Sequence, residues 1–321
     1  MPKLIIQIPC FNEEETLGIT LSTLPRSLPG IDSVEWLIIN DGSTDRTVEV
    51  AKAHGVDHIV NFSHNRGLAK AFMAGLEACL KAGADVIVNT DADNQYYADD
   101  IPKLIEPILL GKAEIVIGAR PINQIKHFSL TKKFLQKLGS WVVRIFSNTD
   151  IQDVTSGFRA ISRDAAMQLN VFNEYTYTLE MIIQAGQKGI AVTSIPIRTN
   201  QDLRSSRLIK SIPSYIQQSI FTILRIFMAY RPLRFFMTMG SIPFALGFLI
   251  GVRWLVLFLS GNPRTHLPSL VLASILILIG FQLWVFGLIA DLLAVNRKML
   301  EDIQLRARKS KFDSRNDASL L

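Results

Sequence analysis

The first two thirds of the chain alternate short apolar runs with segments whose apolar residues recur at helical spacing. The apolar runs predict strands at residues 4–8, 34–39, 58–62, 86–90 and 114–118. The helical spacing predicts helices at residues 14–24, 46–54, 68–82, 99–110 and 178–187. Repeats of strand and helix are typical of a mostly parallel sheet with helices on both faces. The expected fold class is therefore α/β, with a doubly wound sheet.

The last third of the chain is dominated by Leu, Ile, Phe, Val and Gly. There are 18 uncharged residues between Arg234 and Arg253, and 26 between Arg264 and Asp291. A helix rises 1.5 Å per residue, so runs of this length span roughly 30 Å of hydrocarbon. We predict two transmembrane helices, and a pair of buried core helices is the alternative interpretation.

Basic residues flank both apolar spans on the outside, whereas the loop between them carries only Arg264. By the positive-inside rule, both flanks and both termini are expected in the cytoplasm of a multi-pass protein of the inner (plasma) membrane. The expected organisation is an α/β domain at 1–203, a basic juxtamembrane helical segment at 204–234, transmembrane helices at 235–259 and 269–291 around an extracytoplasmic loop at 260–268, and a charged tail at 292–321. The apolar face of the juxtamembrane segment predicts a helix on the bilayer surface, with an ordinary helix packed on the domain as the alternative. The tail is expected to be helical only to about Ser310.

The formal net charge of +6 comes mostly from residues around the membrane-flanking segments. It favours attraction to anionic lipid headgroups and to a phosphorylated ligand, and the chain has no nucleic-acid motif. The two cysteines, Cys10 and Cys79, give no disulfide framework. The start of the chain leads directly into a strand, so no signal peptide is expected.

Polar residues cluster where three predicted strands end, at 9–13, 41–43 and 91–95. The carboxyl ends of parallel strands meet at one rim of a sheet, so these clusters are expected to lie together. There, Asp91 and Asp93 can reach one hard divalent cation, with the amide oxygen of Gln95 as a third ligand. Mg²⁺ or Mn²⁺ held by so few carboxylates completes its shell with substrate phosphates. The rim therefore predicts a site for a nucleotide diphosphate, although an isolated Asp-X-Asp also occurs in solvated turns.

Two other nucleotide-binding classes lose their main support. The chain contains neither the G-x-G-x-x-G of a dinucleotide fold nor the G-x-x-x-x-G-K-[ST] of a phosphate loop. Dehydrogenases and P-loop NTPases are therefore excluded as leading interpretations.

Five motifs occur in order along the chain: Pro-Cys-Phe-Asn-Glu at 9–13, Asn-Asp-Gly-Ser-Thr-Asp at 40–45, Asn-Arg-Gly at 65–67, Asp-Ala-Asp-Asn-Gln at 91–95 and Ser-Gly-Phe-Arg at 156–159. Together they resemble the family 2 glycosyltransferases with a GT-A fold. More narrowly, they resemble the polyprenyl-phosphate glycosyltransferases, the group that includes dolichol-phosphate mannose synthase. The two apolar spans extend the resemblance to the membrane-anchored branch.

The resemblance implies a site for a nucleotide-diphosphate sugar on the rim. Its donor-binding residues would be Pro9, Phe11, Asn12, Glu13, Asp41, Asp91 and Ala92. Asp91, Asp93 and Gln95 would hold Mg²⁺ or Mn²⁺ on the donor diphosphate, which gives Asp93 a catalytic role. Simple packing is the alternative role for Phe11, and Asp45 is expected to cap a helix.

The resemblance also implies a site for the acceptor phosphate. Arg120, Lys132, Lys133 and Arg207 are its candidate residues, with an ordinary surface arginine as the alternative for Arg120. Asp153 and Arg159 are further catalytic candidates. Asp153 would act as a base or orient the acceptor, and Arg159 would bind phosphate, fix the acidic loop by a salt bridge or serve the structure alone.

The reaction implied is inverting transfer of a hexose from a UDP-glucose or GDP-mannose type donor to undecaprenyl or dolichyl phosphate. The partners implied are the lipid membrane, a flippase and a downstream transferase, and a homo-oligomer is left open. A processive polysaccharide synthase is one alternative, but Ile250 stands where its Gln-X-X-Arg-Trp motif has glutamine. A non-catalytic sugar-nucleotide scaffold at the membrane is the other.

Overall fold

The computed structural model describes residues 2–121, 151, 153–171, 177–200, 224–225, 228, 230–261 and 267–318, with only the backbone of 311–318. The strands are β1 (Lys3–Cys10), β2 (Ser33–Asn40), β3 (His58–Asn61), β4 (Val86–Asn89), β5 (Ile115–Ala119), β6 (Arg159–Ser162) and β7 (Val192–Pro196). The helices are α1 (Leu17–Thr23), α2 (Thr47–Ala53), α3 (Leu68–Lys81), α4 (Ile101–Leu109), α5 (Arg163–Gln168), α6 (Thr178–Lys188), α7 (Pro232–Leu259) and α8 (Leu267–Ala318).

The seven strands form one sheet in the order β3-β2-β1-β4-β6-β5-β7. Pairs β1–β2, β1–β4, β2–β3 and β5–β7 are parallel, whereas β6 runs antiparallel to both β4 and β5. The prediction of a mostly parallel α/β sheet is confirmed. The chain leaves β1 towards β2 and β3 and later returns to its other side as β4, so the crevice expected for a ligand lies beyond the carboxyl ends of β1 and β4.

Alternate residues of β1 face the two layers of helices, as the period of a strand requires. Leu4, Ile6 and Ile8 are fully buried in a core shared with α1 and α4. On the opposite face, Gly75 of α3 packs so closely that an added Cβ would lie 2.4 Å from Oε1 of Gln7. The central strand is thus enclosed on both sides, which fixes the position of the loop that follows it.

Several predicted boundaries shift by a few residues. Helix α1 begins at Leu17 rather than at residue 14, because the Glu13 carbonyl accepts hydrogen bonds from the amides of Thr16 and Leu17 and closes a turn before it. The predicted helix at 99–110 starts with a separate 3₁₀ turn, Ala98–Asp100. Strands β6 and β7 were not predicted, since each is short and pairs with strands far away in sequence.

The chain divides into two compact units, residues 1–216 with 305–321 and residues 217–304. Helix α7 and residues 267–304 of α8 belong to the second unit. The two helices have mean hydropathies of 2.2 and 2.4 over their most apolar windows. Both are long and apolar enough to cross a membrane, judged by length and composition alone. The tail was expected to be helical only to about Ser310, but α8 continues to Ala318. Extending a formed helix needs no new nucleation, which is the physical reason for the difference.

Helices α7 and α8 pack together through small residues. An added Cβ at Gly240 would lie 2.7 Å from the carbonyl oxygen of Gly280. The indole nitrogen of Trp284 donates to the carbonyl of Met237 at 3.2 Å, and its ring lies 4.6 Å from that of Phe244. Close backbone approach at glycine is a common way for helices to associate in lipid.

Most of the juxtamembrane segment at 204–234 lies outside the described residues.

Candidate active site

The loops after β1 and β2 are tied together at the rim of the sheet. The amide of Asn12 donates to Oγ of Ser43 at 2.9 Å, and the amide of Thr44 donates back to Oδ1 of Asn12 at 2.8 Å. Asn12 has a φ of 55°, a left-handed conformation that asparagine tolerates better than most residues. These contacts confirm that the first two polar clusters share one rim.

Asp41 lies in this rim with 4% of its surface exposed. Its two carboxylate oxygens accept hydrogen bonds from the amides of Arg66 and Gly67, at 2.7 and 3.0 Å, just before helix α3. The following residue, Gly42, has a φ of 71°, and an added Cβ would lie 2.4 Å from the carbonyl carbon of His64. Asp41 therefore connects the loop after β2 to the Asn-Arg-Gly loop at 65–67.

The remaining residues of the first loop differ in exposure. Phe11 is 40% exposed, whereas Glu13 is 8% exposed and accepts a hydrogen bond from the hydroxyl of Thr16 at 2.8 Å. Pro9 is half-buried within β1. Phe11 thus offers an aromatic surface at the rim, while Glu13 sets the start of α1.

Asp45, expected to cap a helix, lies one residue before Arg46, the N-cap of α2, and contacts the first turn of that helix. Its Oδ1 accepts a hydrogen bond from the amide of Thr47, the first residue of α2, at 3.1 Å. Its Oδ2 accepts one from the amide of Glu14, which adds a further tie between the first two loops.

The acidic loop after β4 joins the same rim. The hydroxyl of Thr20 in α1 donates to the carbonyl of Ala92 at 2.9 Å. Burial and the charge of Asp93 raise the pKa of Asp91 to about 6, and Glu13 adds to the effect. Crowding of negative charge around a half-buried carboxylate favours binding of a cation there.

Two neighbours define the surroundings of Asp91. The hydroxyl of Tyr96 acts to lower the pKa of Asp91, against the effect of burial, and it accepts a hydrogen bond from the amide of Gly157 at 2.9 Å. An added Cβ at Gly157 would lie 2.9 Å from both carboxylate oxygens of Asp91. The Ser156-Gly157-Phe158-Arg159 motif therefore brings a residue without a side chain against the first acid of the loop.

The rest of the acidic loop forms a tight turn. Oδ1 of Asp93 accepts a hydrogen bond from the backbone amide of Gln95 at 3.2 Å, and Asn94 between them has a φ of 55°. Within the described residues, no group of three or more His, Cys, Asp or Glu is placed to hold a metal ion. Two carboxylates and an amide still suit Mg²⁺ or Mn²⁺, provided that substrate phosphates supply the other ligands.

Arg120 and Asp153 form an ion pair beside this loop. The Arg120 side chain donates from Nε to Oδ2 at 2.7 Å and from Nη2 to Oδ1 at 3.2 Å, and Nη2 also donates to the hydroxyl of Thr155. Burial alone would raise the pKa of Asp153, but the hydrogen bonds and charge of Arg120 outweigh it and lower that pKa. Asp153 is therefore an ion-paired anion at neutral pH.

Arg159 is directed into the protein interior, where it is fully buried. Its guanidinium donates to the backbone carbonyls of Ser156, Val154 and Thr178 at 2.7, 2.7 and 3.0 Å. A phosphate ligand cannot reach a side chain held in this way, so we assign Arg159 to the positioning of the 154–156 loop. Among its three sequence-based roles, the structural one fits the geometry.

Three residues expected at the acceptor phosphate, Lys132, Lys133 and Arg207, lie outside the described residues.

The structure adds residues that sequence reasoning missed. Asn89 in β4 accepts a hydrogen bond from Nε2 of Gln7 at 2.9 Å and donates to the carbonyl of Gly157 at 2.8 Å. Asn89 and Gln7 are both fully buried. Polar residues in the middle of apolar strands were the available signal, because such groups are retained inside a protein only with partners.

Comparisons with known proteins agree with this geometry. Residues 5–169 match the family model described as glycosyl transferase family 2. Over 200 residues the chain is 29% identical to the undecaprenyl-phosphate mannosyltransferase of Micrococcus luteus, covering 59% of this chain and 80% of that protein. Over 217 residues it is 30% identical to the UDP-N-acetylglucosamine–dolichyl-phosphate N-acetylglucosaminyltransferase of Methanococcus voltae, covering 60% and 83%.

Among solved structures, the fold is similar to glucosyl-3-phosphoglycerate synthase from Mycobacterium tuberculosis, which was crystallised with Mn²⁺, UDP and glucosyl-3-phosphoglycerate. The TM-score is 0.53 at 18% identity, and the match covers 69% of this chain and 80% of that one. This likeness establishes a GT-A fold. With the family model matching half of the chain, the protein belongs to glycosyl transferase family 2.

Proposed function

We propose that the protein transfers a hexose, with inversion, from a nucleotide-diphosphate sugar of the UDP-glucose or GDP-mannose type to a polyprenyl phosphate at the cytoplasmic face of the membrane. The observation that carries the proposal is the position of Asp91, whose carboxylate lies on the rim among the charges of Asp93 and Glu13. The names of the two relatives support the choice of undecaprenyl or dolichyl phosphate as acceptor.

The donor would lie on the rim formed by the first two loops. The exposed ring of Phe11 offers a surface for the base, and the hydrogen bonds between Asn12, Ser43 and Thr44 hold that surface in place. Asp41 fixes the loop at 65–67 against the loop after β2, because its carboxylate accepts hydrogen bonds from two backbone amides there. A pocket whose walls are fixed before binding loses less entropy when the donor binds.

Asp91, Asp93 and Gln95 would hold Mg²⁺ or Mn²⁺. When bound, the cation would neutralise charge on the diphosphate as it departs from the sugar. The protein's own part is to keep Asp91 oriented, through the Tyr96 hydroxyl and the adjoining Gly157, so that its oxygens point to one place.

The acceptor needs little help from a base. A phosphate monoester is largely a dianion near neutral pH, because its second pKa is about 6. Its oxygen would attack the anomeric carbon from the side opposite the diphosphate, forming the new bond as the old one breaks. Asp153 is engaged by Arg120 and would not take part as a base. Binding of the acceptor by Lys132, Lys133 and Arg207 stays a prediction.

The membrane assignment rests on α7 and α8 and on the lipid substrates in the relatives' names. A polyprenyl phosphate has its reactive group at the bilayer surface. An enzyme anchored in the same membrane therefore encounters its acceptor by diffusion within the plane of the bilayer. Loading on the cytoplasmic face then implies a flippase and a downstream transferase as partners.

The test is transfer of radiolabelled sugar from a panel of UDP and GDP sugars by the full-length protein in detergent. Undecaprenyl phosphate, dolichyl phosphate and water-soluble 3-phosphoglycerate would be compared as acceptors, with Mn²⁺, Mg²⁺ or EDTA. The proposal expects metal-dependent label in the lipid phase from one donor class. Label found only on 3-phosphoglycerate would overturn the lipid acceptor, and binding of a donor without transfer to any acceptor would favour a scaffold.

A further inference from the structure

The segment that follows β7 lies across the acidic loop. The Nδ2 group of Asn200 donates to the carbonyls of Asn94 and Tyr96 at 2.9 and 3.3 Å, and its amide donates to the carbonyl of Gln95 at 2.9 Å. Thr199 forms an antiparallel bridge with Tyr96. Asn200, four residues after the end of β7, thus donates to three successive carbonyls of the proposed metal loop.

These carbonyls belong to the strained part of the loop. Asn94 has a φ of 55°, and a left-handed residue that is not glycine persists only where its surroundings fix it. The hydroxyl of Tyr96 accepts a hydrogen bond from the amide of Gly157, and Gly157 packs directly against the Asp91 carboxylate. The contact between Asn200 and the backbone of Tyr96 therefore also helps to fix the position of Asp91, the first of the proposed metal ligands.

A second contact anchors the far end of the same loop. Arg198 donates from Nη2 to Oδ1 of Asp100 at 2.8 Å, and its amide donates to Oδ2 at 2.8 Å. Its guanidinium carbon lies 4.0 Å above the ring of Tyr97, whose amide donates to the carbonyl of Arg198. Asp100 is fully buried and opens helix α4, so this contact joins the loop to a rigid element.

We propose that Asn200 and Arg198 are positioning residues that keep the Asp91–Gln95 loop in its metal-binding conformation. The inference rests on the proposed function, since it assumes that this loop binds the metal. Neither residue is proposed as a ligand, because Arg198 is a cation and Asn200 binds the loop through its amide nitrogens. Asn200 fixes the turn between Asp93 and Tyr96, and Arg198 fixes the exit of the loop. Residues that orient metal ligands in this way typically change metal affinity or activity by about 10-fold to 100-fold when mutated.

The chain offers a matched control for Arg198. Arg26 also pairs with an aspartate, Asp57, at 2.5 Å, and its guanidinium carbon lies 3.4 Å above the ring of Trp36. Asp57 precedes β3, so this pair lies towards the amino ends of the parallel strands, away from the rim. Removing Arg26 breaks the same kinds of contact without touching the acidic loop.

The experiment measures Mn²⁺ binding to the full-length protein in detergent by electron paramagnetic resonance, with saturating UDP or GDP and without acceptor, because nucleotide phosphates complete the proposed metal shell. Asn200→Ala, Asn200→Asp and Arg198→Ala are each expected to weaken Mn²⁺ binding by about 10-fold or more, and Arg26→Ala to leave it unchanged. Asn200→Asp keeps the shape of the side chain but replaces the donor with an anionic oxygen. A loss of affinity in this variant would therefore come from the lost hydrogen bonds, because the added negative charge acts towards tighter cation binding. Arg198→Lys is expected to restore binding in part, because it keeps the charge but loses the second side-chain contact, from Nε to the Asp100 carboxylate at 3.2 Å.

The outcomes separate this inference from the proposed function. Wild-type affinity in Asn200→Ala, Asn200→Asp and Arg198→Ala would overturn the inference alone. An equal loss in Arg26→Ala would also overturn it, because the effect would then be one of general stability. A wild-type protein that binds no Mn²⁺ with either nucleotide would overturn the proposed metal site and this inference together.

Discussion

Arg120 and Asp153 meet in a two-point ion pair, with 2.7 Å between Nε and Oδ2 and 3.2 Å between Nη2 and Oδ1. Asp153 is fully buried, and the hydroxyl of Thr155 donates to it at 2.9 Å. An anion with these partners holds its charge at neutral pH and has little tendency to accept a proton. The pair therefore organises the site and fixes a positive charge whose field lowers the pKa of Asp91, opposing the effect of burial.

Asp153→Asn is expected to lower the free energy of unfolding at pH 7 by about 3–5 kcal/mol, because it leaves the buried Arg120 without a charged partner. The folded pKa of Asp153 lies below its unfolded value. The stabilisation is thus present above about pH 4 and is lost as the pH falls through the folded pKa. Chemical denaturation of both proteins at several pH values measures the difference. If the variant lost the acidic limb of the pH–rate profile at unchanged stability, Asp153 would be a base after all.

Proton competition at Asp91 is expected to make metal binding depend on pH. Its pKa of about 6 in the metal-free protein, caused first by burial and then by Asp93, means that a proton occupies the carboxylate below that pH. Affinity for Mn²⁺ should fall by about tenfold per pH unit below pH 6. Titration with Mn²⁺ at pH 5, 6, 7 and 8 measures this, with Asp91→Asn as the variant that binds weakly at every pH. A flat wild-type profile would contradict the assignment of Asp91 as a ligand.

Gly157→Ala is expected to displace the Asp91 carboxylate, because the new Cβ would lie 2.9 Å from both of its oxygens. A misplacement of about 1 Å in an active site can cost about 100-fold in rate, so we expect a loss of that order in kcat/KM. Gly111→Ala is the control. Gly111 has a φ of 66° and open space around it, so alanine there should cost about 1–2 kcal/mol of stability and leave kcat/KM unchanged. Equal effects of the two variants on kcat/KM would contradict a specific contact with Asp91.

Tyr96→Phe removes the hydroxyl that accepts a hydrogen bond from the amide of Gly157, the residue packed against Asp91. We expect Mn²⁺ affinity to fall by about 10-fold, since a contact that positions a metal ligand is lost. Tyr177→Phe is the matched control, because its buried hydroxyl accepts from Asn89 at 3.0 Å instead. Isothermal titration of both variants with Mn²⁺ measures the difference. Similar affinities in the two would show that the Tyr96 hydroxyl has no specific role at the metal site.

The convergence of the rim loops could be predicted from the sequence, because parallel strands place their carboxyl ends together whatever their spacing in the chain. The contacts and burial of each side chain could not be predicted from the sequence. Arg159 appeared available to phosphate, yet the pairing of β6 between β4 and β5 turns it into the interior. Asn200 lies 106 residues from Asn94, so no local pattern indicates that it holds the acidic loop.

The central claim is that Asp93 in the rim loop supports transfer of sugar to a polyprenyl phosphate. The most direct measurement compares initial rates of glycolipid formation by the wild type, Asp93→Asn and Asp99→Asn, with Mn²⁺ and with EDTA. Asp99 is an exposed acid in the adjoining 3₁₀ turn and serves as the matched control. The account predicts metal-dependent product in the wild type and Asp99→Asn, and none above background in Asp93→Asn. Equal rates in all three proteins, or full activity in EDTA, would contradict it.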